Sequence, residues 1–149
     1  MIVPREVLDG IRSVLEFAYP HEGCGFLLGA RDGDVNVVDH LPAANDREDD
    51  VAAATRYLIT PDDFRAATRK ADARRLEIVG VYHSHPDVPP RPSEFDRDHA
   101  WPWYQYLIVS VVKGRADEMR VWELRDDRAG FDERQIEIVG NGKRSADAP

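Results

Sequence analysis

The chain has 149 residues, enough for one domain with a core of its own. Apolar residues make up 42% and charged residues 32%, an ordinary soluble composition, and the formal net charge of -8 excludes a general nucleic-acid binder, which needs a basic surface. The single cysteine, Cys24, excludes an internal disulfide and a multi-cysteine zinc site.

Residues 4–17 predict an amphipathic helix, because Val7, Leu8, Ile11, Val14, Leu15 and Ala18 recur at helical spacing. Tyr19-Pro20 closes it. Residues 24–29 predict a short apolar strand and 35–40 its return, with Arg31-Asp32-Gly33-Asp34 as the hairpin turn. Residues 41–54 read as a loop, whose charge run over 45–50 is either a solvated connection or a flap beside a site. A strand over 56–59 leads to Thr60-Pro61-Asp62-Asp63, a helix start with Thr60 as N-cap and acids in the first turn. That helix runs to about Arg75 and buries Phe64, Ala67 and Ala71.

Residues 77–83 predict a central strand, since Ile78, Val79 and Val81 are β-branched. A short helix starts at Ser93. Strands over 106–112, 118–124 and 135–139 follow, the last two separated by a turn over 126–130. Residues 140–149 are polar and aperiodic and read as a disordered tail after a single domain over 1–139. The order of elements predicts an α/β chain with one mixed sheet flanked by helices. The N-terminus lacks the apolar core of a signal peptide, and no stretch approaches the roughly 20 apolar residues of a membrane span. The expectation is a cytoplasmic protein with no membrane or nucleic-acid partner.

Chemistry concentrates around Val79-Gly80-Val81-Tyr82-His83-Ser84-His85-Pro86. Residues i and i+2 of a strand share a face, so a strand that reaches His85 aims both imidazoles at one spot. Asp96 can return a carboxylate there, and two imidazoles with one carboxylate suit zinc. Ser93-x-x-Asp96 also reads as a helix capping box, which accounts for both residues without chemistry, and the two readings are compatible. Glu22, in a turn before the Cys24 strand, is by itself a surface glutamate. A metal-bound water would, however, need a base of that kind. Ser84 lies between the histidines and points away from them, in a supporting role. Cys24 reads as a small buried hydrophobe. His99, one helical turn past Asp96, can reach the surroundings of the site, whereas His21 and His40 read as surface residues. Trp101, Trp103, Tyr104 and Tyr106 form an aromatic cluster suited to core packing, a substrate groove or a dimer contact.

Glu22, then His83-x-His85, then Ser93 and Asp96, resembles the signature of the JAMM (MPN+) metalloprotease family. Glu22-Gly23-Cys24-Gly25-Phe26-Leu27-Leu28-Gly29 and Arg56-Tyr57-Leu58-Ile59-Thr60-Pro61 resemble the family's neighbouring segments. The likeness runs from about Val3 to Val112. It implies a JAMM/MPN, cytidine-deaminase-like fold and one Zn2+ per chain, held by His83, His85 and Asp96. It makes Glu22 the general base and Ser93 an oxyanion donor. It also implies a peptidase or isopeptidase acting on the C-terminal tail of a small ubiquitin-like or sulfur-carrier protein. The alternative is a non-catalytic MPN-type interaction domain, which would lack one of these residues.

Overall fold

The structure, a computed structural model, describes residues 1–44 and 59–140. Strand β1 (Ile2–Pro4) runs directly into helix α1 (Arg5–Ala18). A hairpin follows, β2 (Cys24–Asp32) and β3 (Asp34–Ala43), turning at Gly33, whose φ of 74° suits a residue without Cβ. Helix α2 (Pro61–Ala73) leads to β4 (Glu77–Pro86), then to the short helix α3 (Glu94–His99). The chain closes with β5 (Gln105–Val112), β6 (Arg115–Leu124), β7 (Phe131–Arg134) and β8 (Glu137–Val139).

These strands form one mixed sheet in the order β7-β6-β5-β4-β2-β3-β1-β8. The pairs β4/β5, β1/β3 and β1/β8 are parallel, and the rest are antiparallel. Strand β4 thus lies in the interior of the sheet, as its β-branched residues predict. One face of the sheet packs on α1, where Val7, Leu8, Ile11 and Leu15 are all buried against Leu27, Val79, Tyr82 and Leu107. Each such side chain contributes roughly 2 kcal/mol relative to full exposure. The other face packs on α2 through Phe26, Leu28, Ala67, Ala71 and Val81.

The β2/β4 register shifts between Leu27 and Leu28, so that Leu27 pairs with Gly80 and Leu28 with Ile78. The extra residue, Val79, is a bulge that resets the alternation of β4. Val79 therefore packs on the α1 face while Val81, two residues on, packs on the α2 face. From the bulge onward, Val81, His83 and His85 share the α2 face.

The expected elements are found with three corrections. Residues 41–43 belong to β3 rather than to a loop, β1 precedes the first helix, and β7 occupies residues read as part of a connection. The charge run over 45–50, residues 56–58 of the strand expected over 56–59 and the tail from 141 lie outside the described residues, and Ile59 is not in a strand. Among the described residues no helix is long and apolar enough to cross a membrane.

Candidate metal centre

Strand β4 does reach His85. His83 pairs with Cys24 on β2 and with Ile108 on β5, and His85 pairs with Ser110 on β5. Helix α3 brings the third group. Ser93 accepts from the Asp96 N–H at 3.1 Å, and Asp96 Oδ2 accepts from the Ser93 N–H at 2.8 Å. The capping box is real, and the same carboxylate faces both histidines. Asp96 Oδ1 lies 3.3 Å from His83 Nε2, and Asp96 Oδ2 lies 3.2 Å from His85 Nε2. The two Nε2 atoms are 3.3 Å apart. His83 is 0% exposed, His85 7% and Asp96 6%.

This spacing can be tested against ligand geometry. Atoms held at about 2.0–2.1 Å by one tetrahedral ion lie about 3.3–3.4 Å from each other. The two Nε2 atoms meet that requirement, the carboxylate approaches each of them through a different oxygen, and one of its oxygens lies within 4.8 Å of both nitrogens, so that two nitrogens with one oxygen form a donor set that zinc accepts. The proton positions agree. His85 Nδ1 lies 3.0 Å from the Pro89 carbonyl, which can only accept, so the neutral ring carries its proton on Nδ1. His85 Nε2 then presents a lone pair to Asp96 Oδ2, and a cation between the two makes that approach favourable.

Electrostatics point the same way. Burial lowers the His83 pKa below its ordinary value, against the opposing pull of Asp96, so the ring is neutral at pH 7. Burial alone would raise the Asp96 carboxyl. The two neighbouring histidines, His83 foremost, and the Ser93 N–H outweigh it and hold the group far below the usual carboxylate range. A neutral imidazole and an ionised carboxylate are the forms that ligate a metal.

Glu22 is only 6% exposed, which corrects its reading as an isolated surface glutamate. Its turn is pinned to the histidine strand. The Ser84 N–H donates to the Gly23 carbonyl at 3.0 Å, and the Gly23 N–H donates to Ser84 Oγ at 2.9 Å. Cys24, the first residue of β2, pairs with His83, and Glu22 lies two residues before it in that pinned turn. Ser84, pointing to the other face, supports the site by holding the glutamate's turn. Ser93, the N-cap of α3, is exposed. Cys24 is fully buried in the apolar cluster beneath α2.

Two peripheral histidines behave differently from expectation. His99 Nδ1 lies 2.9 Å from the Phe95 carbonyl of its own helix and its ring stacks on Phe95, so those contacts do not lead to the triad. His40 is half-buried rather than a surface residue, with Nδ1 3.0 Å from the Tyr82 hydroxyl. The aromatic cluster divides. Tyr106 is core, and its hydroxyl accepts from the Trp101 N–H at 2.8 Å. Trp101, Trp103 and Tyr104 join Ile59, Pro61 and Phe64 around a groove of about 490 Å³. Sequence reasoning missed the carbonyl of Pro89, the hydroxyl of Ser110 and the indole of Trp122, none of which a linear motif displays.

A mixed sheet that delivers two histidines and a capping-box aspartate to one buried point defines a JAMM/MPN-type domain. The model of the family described as prokaryotic homologs of the JAB domain matches residues 4–125, and the chain belongs to that family. A desampylase of Haloferax volcanii is 38% identical over 61% of this chain and 63% of its own length, so the match spans less than two thirds of that relative. A Thermus thermophilus protein named "Probable TtuB-protein conjugate cleaving protease" is 32% identical over 78% of this chain and 74% of its own. Among solved structures, a Salinibacter ruber protein is 43% identical with a TM-score of 0.73, covering 93% of this chain and 92% of that one. A JAB1/MPN domain protein of Archaeoglobus fulgidus shares the fold at 20% identity, with a TM-score of 0.59 over 93% and 99% of the two chains.

Proposed function

We propose that this protein is a zinc-dependent peptidase of the JAMM type. Its substrate is a peptide or isopeptide bond at the C-terminal tail of a small ubiquitin-like or sulfur-carrier protein. The observation that carries the reading is the buried triad of His83, His85 and Asp96, with the two Nε2 atoms 3.3 Å apart and a carboxylate oxygen 3.2–3.3 Å from each. The conjugate-cleaving name of the Thermus relative supports the substrate class.

His83 and His85 through Nε2, and Asp96 through its carboxylate, would hold one zinc per chain. When bound, the ion polarises a scissile carbonyl and makes a water nucleophilic at neutral pH. Glu22 takes the proton of the attacking water and returns it to the leaving amine, for which a buried carboxylate beside the triad is suited. Ser93 donates its hydroxyl proton to the developing oxyanion. Its bond to the Asp96 N–H uses a lone pair and leaves that proton available. Ser84 keeps the Glu22 turn in register with the histidines.

A non-catalytic interaction domain of the same fold needs none of these groups, whereas all five are present. Metal content tests the reading. Protein loaded with zinc at neutral pH should retain about one ion per chain, and His83→Ala or Asp96→Ala should lose it. Wild-type protein that takes up no zinc would overturn it.

A further inference from the structure

Residues 87–92, Asp87-Val88-Pro89-Pro90-Arg91-Pro92, carry the chain from the histidine strand to the N-cap of α3. Three of the six are prolines and have no N–H, so this connection can be fastened to the sheet mainly through its carbonyl oxygens. Successive carbonyls are indeed taken up one by one. Val88 O accepts from Ser110 Oγ at 2.7 Å, Pro89 O from His85 Nδ1 at 3.0 Å, and Pro90 O from Trp122 Nε1 at 2.9 Å. The Asp87 carboxylate closes the near end, accepting from the Tyr19 hydroxyl at 2.7 Å and the Lys113 N–H at 2.8 Å.

The middle bond is the one that selects the tautomer of His85 and turns Nε2 toward Asp96. The Pro89 carbonyl that makes it is bracketed by one bond on each side. Ser110 pairs with His85 across β4 and β5 and is buried, and Trp122 pairs with Tyr106 across β5 and β6. Both donors come from the sheet, and within the connection the Arg91 N–H also donates to the Pro89 carbonyl at 2.9 Å. Pro90, the residue whose carbonyl the indole holds, is itself buried.

We propose that Trp122, together with Ser110, is a positioning residue for the metal centre. The indole N–H and the serine hydroxyl hold the Pro89 carbonyl where it orients His85, and so pre-organise the site for its ion. Neither residue touches the triad. The inference rests on the zinc reading above and adds to it two residues outside the family signature. Groups that orient a metal-bound histidine are typically worth about 10- to 100-fold in metal affinity. Acting through a carbonyl, Trp122 belongs at the lower end.

The test is zinc affinity by competition with a chromogenic chelator, alongside thermal unfolding of the metal-free protein. Trp122→Phe keeps an aromatic ring at the position but removes the N–H together with the pyrrole part of the indole. It should weaken zinc binding by about tenfold while the metal-free melting temperature stays within a few degrees of wild type. Ser110→Ala should act in the same direction, and Trp103→Phe, on the exposed groove, should leave zinc affinity unchanged. If Trp122→Phe misfolds, Ser110→Ala carries the test alone. Folded variants that bind zinc as tightly as wild type would overturn this inference and leave the zinc reading standing. A wild-type protein that binds no zinc would overturn both.

Discussion

At the scale of single residues, the site is a set of groups each doing two jobs. Asp96 closes the cap of α3 and faces both histidines, and Ser84 fills a buried position while fastening the turn of Glu22. Glu22 is the residue whose role separates chemistry from assembly. Glu22→Gln keeps the volume and removes the proton acceptor. It should keep zinc and the melting temperature but cut kcat by about 10²–10⁴-fold, as loss of a general base does. Near-wild-type turnover in that variant contradicts the assignment. His83 gives a prediction about pH. Its folded pKa lies below the ordinary 6.5, so the unfolded chain binds protons more readily there. Its contribution to stability is therefore complete above pH 6.5 and is lost progressively as pH falls toward the folded value. His40, whose pKa burial also lowers, adds in the same direction. The metal-free protein should melt at a lower temperature at about pH 5.5 than at about pH 7.5. An equal or higher melting temperature at the acid pH would contradict the burial of a neutral His83.

At the scale of elements, the two capping boxes make a natural comparison. Thr60 and Asp63 cap α2, and Ser93 and Asp96 cap α3, with the same reciprocal pair of bonds. Thr60→Ala should cost about 1 kcal/mol in denaturant unfolding and leave zinc affinity untouched. Ser93→Ala removes a cap of similar worth and, although the backbone N–H that binds the Asp96 carboxylate stays, loosens the first turn that carries this member of the triad, so it should lower both stability and zinc affinity. Equal behaviour of the two variants toward zinc would mean that the α3 cap is merely a cap. Strand β4 offers a third case. A Cβ at Gly80 would lie 2.2 Å from the Gln105 carbonyl oxygen, where β4 meets β5. Gly80→Ala must therefore push the two strands apart, and it should destabilise the protein by about 1–3 kcal/mol in equilibrium unfolding. Much of this level was legible in the sequence. Proline after Thr60, β-branching in β4 and the two-residue spacing of the histidines each act locally. The Val79 bulge was not legible, because it exists only in the pairing of β4 with β2. The edge strand β7 was not legible either, since Phe131-Asp132-Glu133-Arg134 has one apolar residue and no alternation to betray it.

At the scale of the whole molecule, one sheet with two covered faces assigns structure to one side and chemistry to the other. The α1 face is largely apolar packing, with Ser84 as its buried polar group at the end of β4, and the α2 face carries His83 and His85 there. The mixed sheet and its flanking helices were foreseeable from the order of elements. The adjacency of β2, β4, β5 and β6 was not, and it sets the turn of Glu22 against the histidine strand and Ser110 and Trp122 against the connection that follows that strand. The most direct test joins a ubiquitin-like protein through its C-terminal carboxyl to a lysine side chain and follows the conjugate by mass spectrometry with zinc-loaded protein. The account predicts release of the intact ubiquitin-like protein with a free C-terminal carboxylate, abolished by a chelator, restored by zinc and absent with Glu22→Gln. Zinc-loaded wild-type protein that leaves conjugates and C-terminal extensions of such proteins uncut, or cleavage that persists in Glu22→Gln, would contradict it.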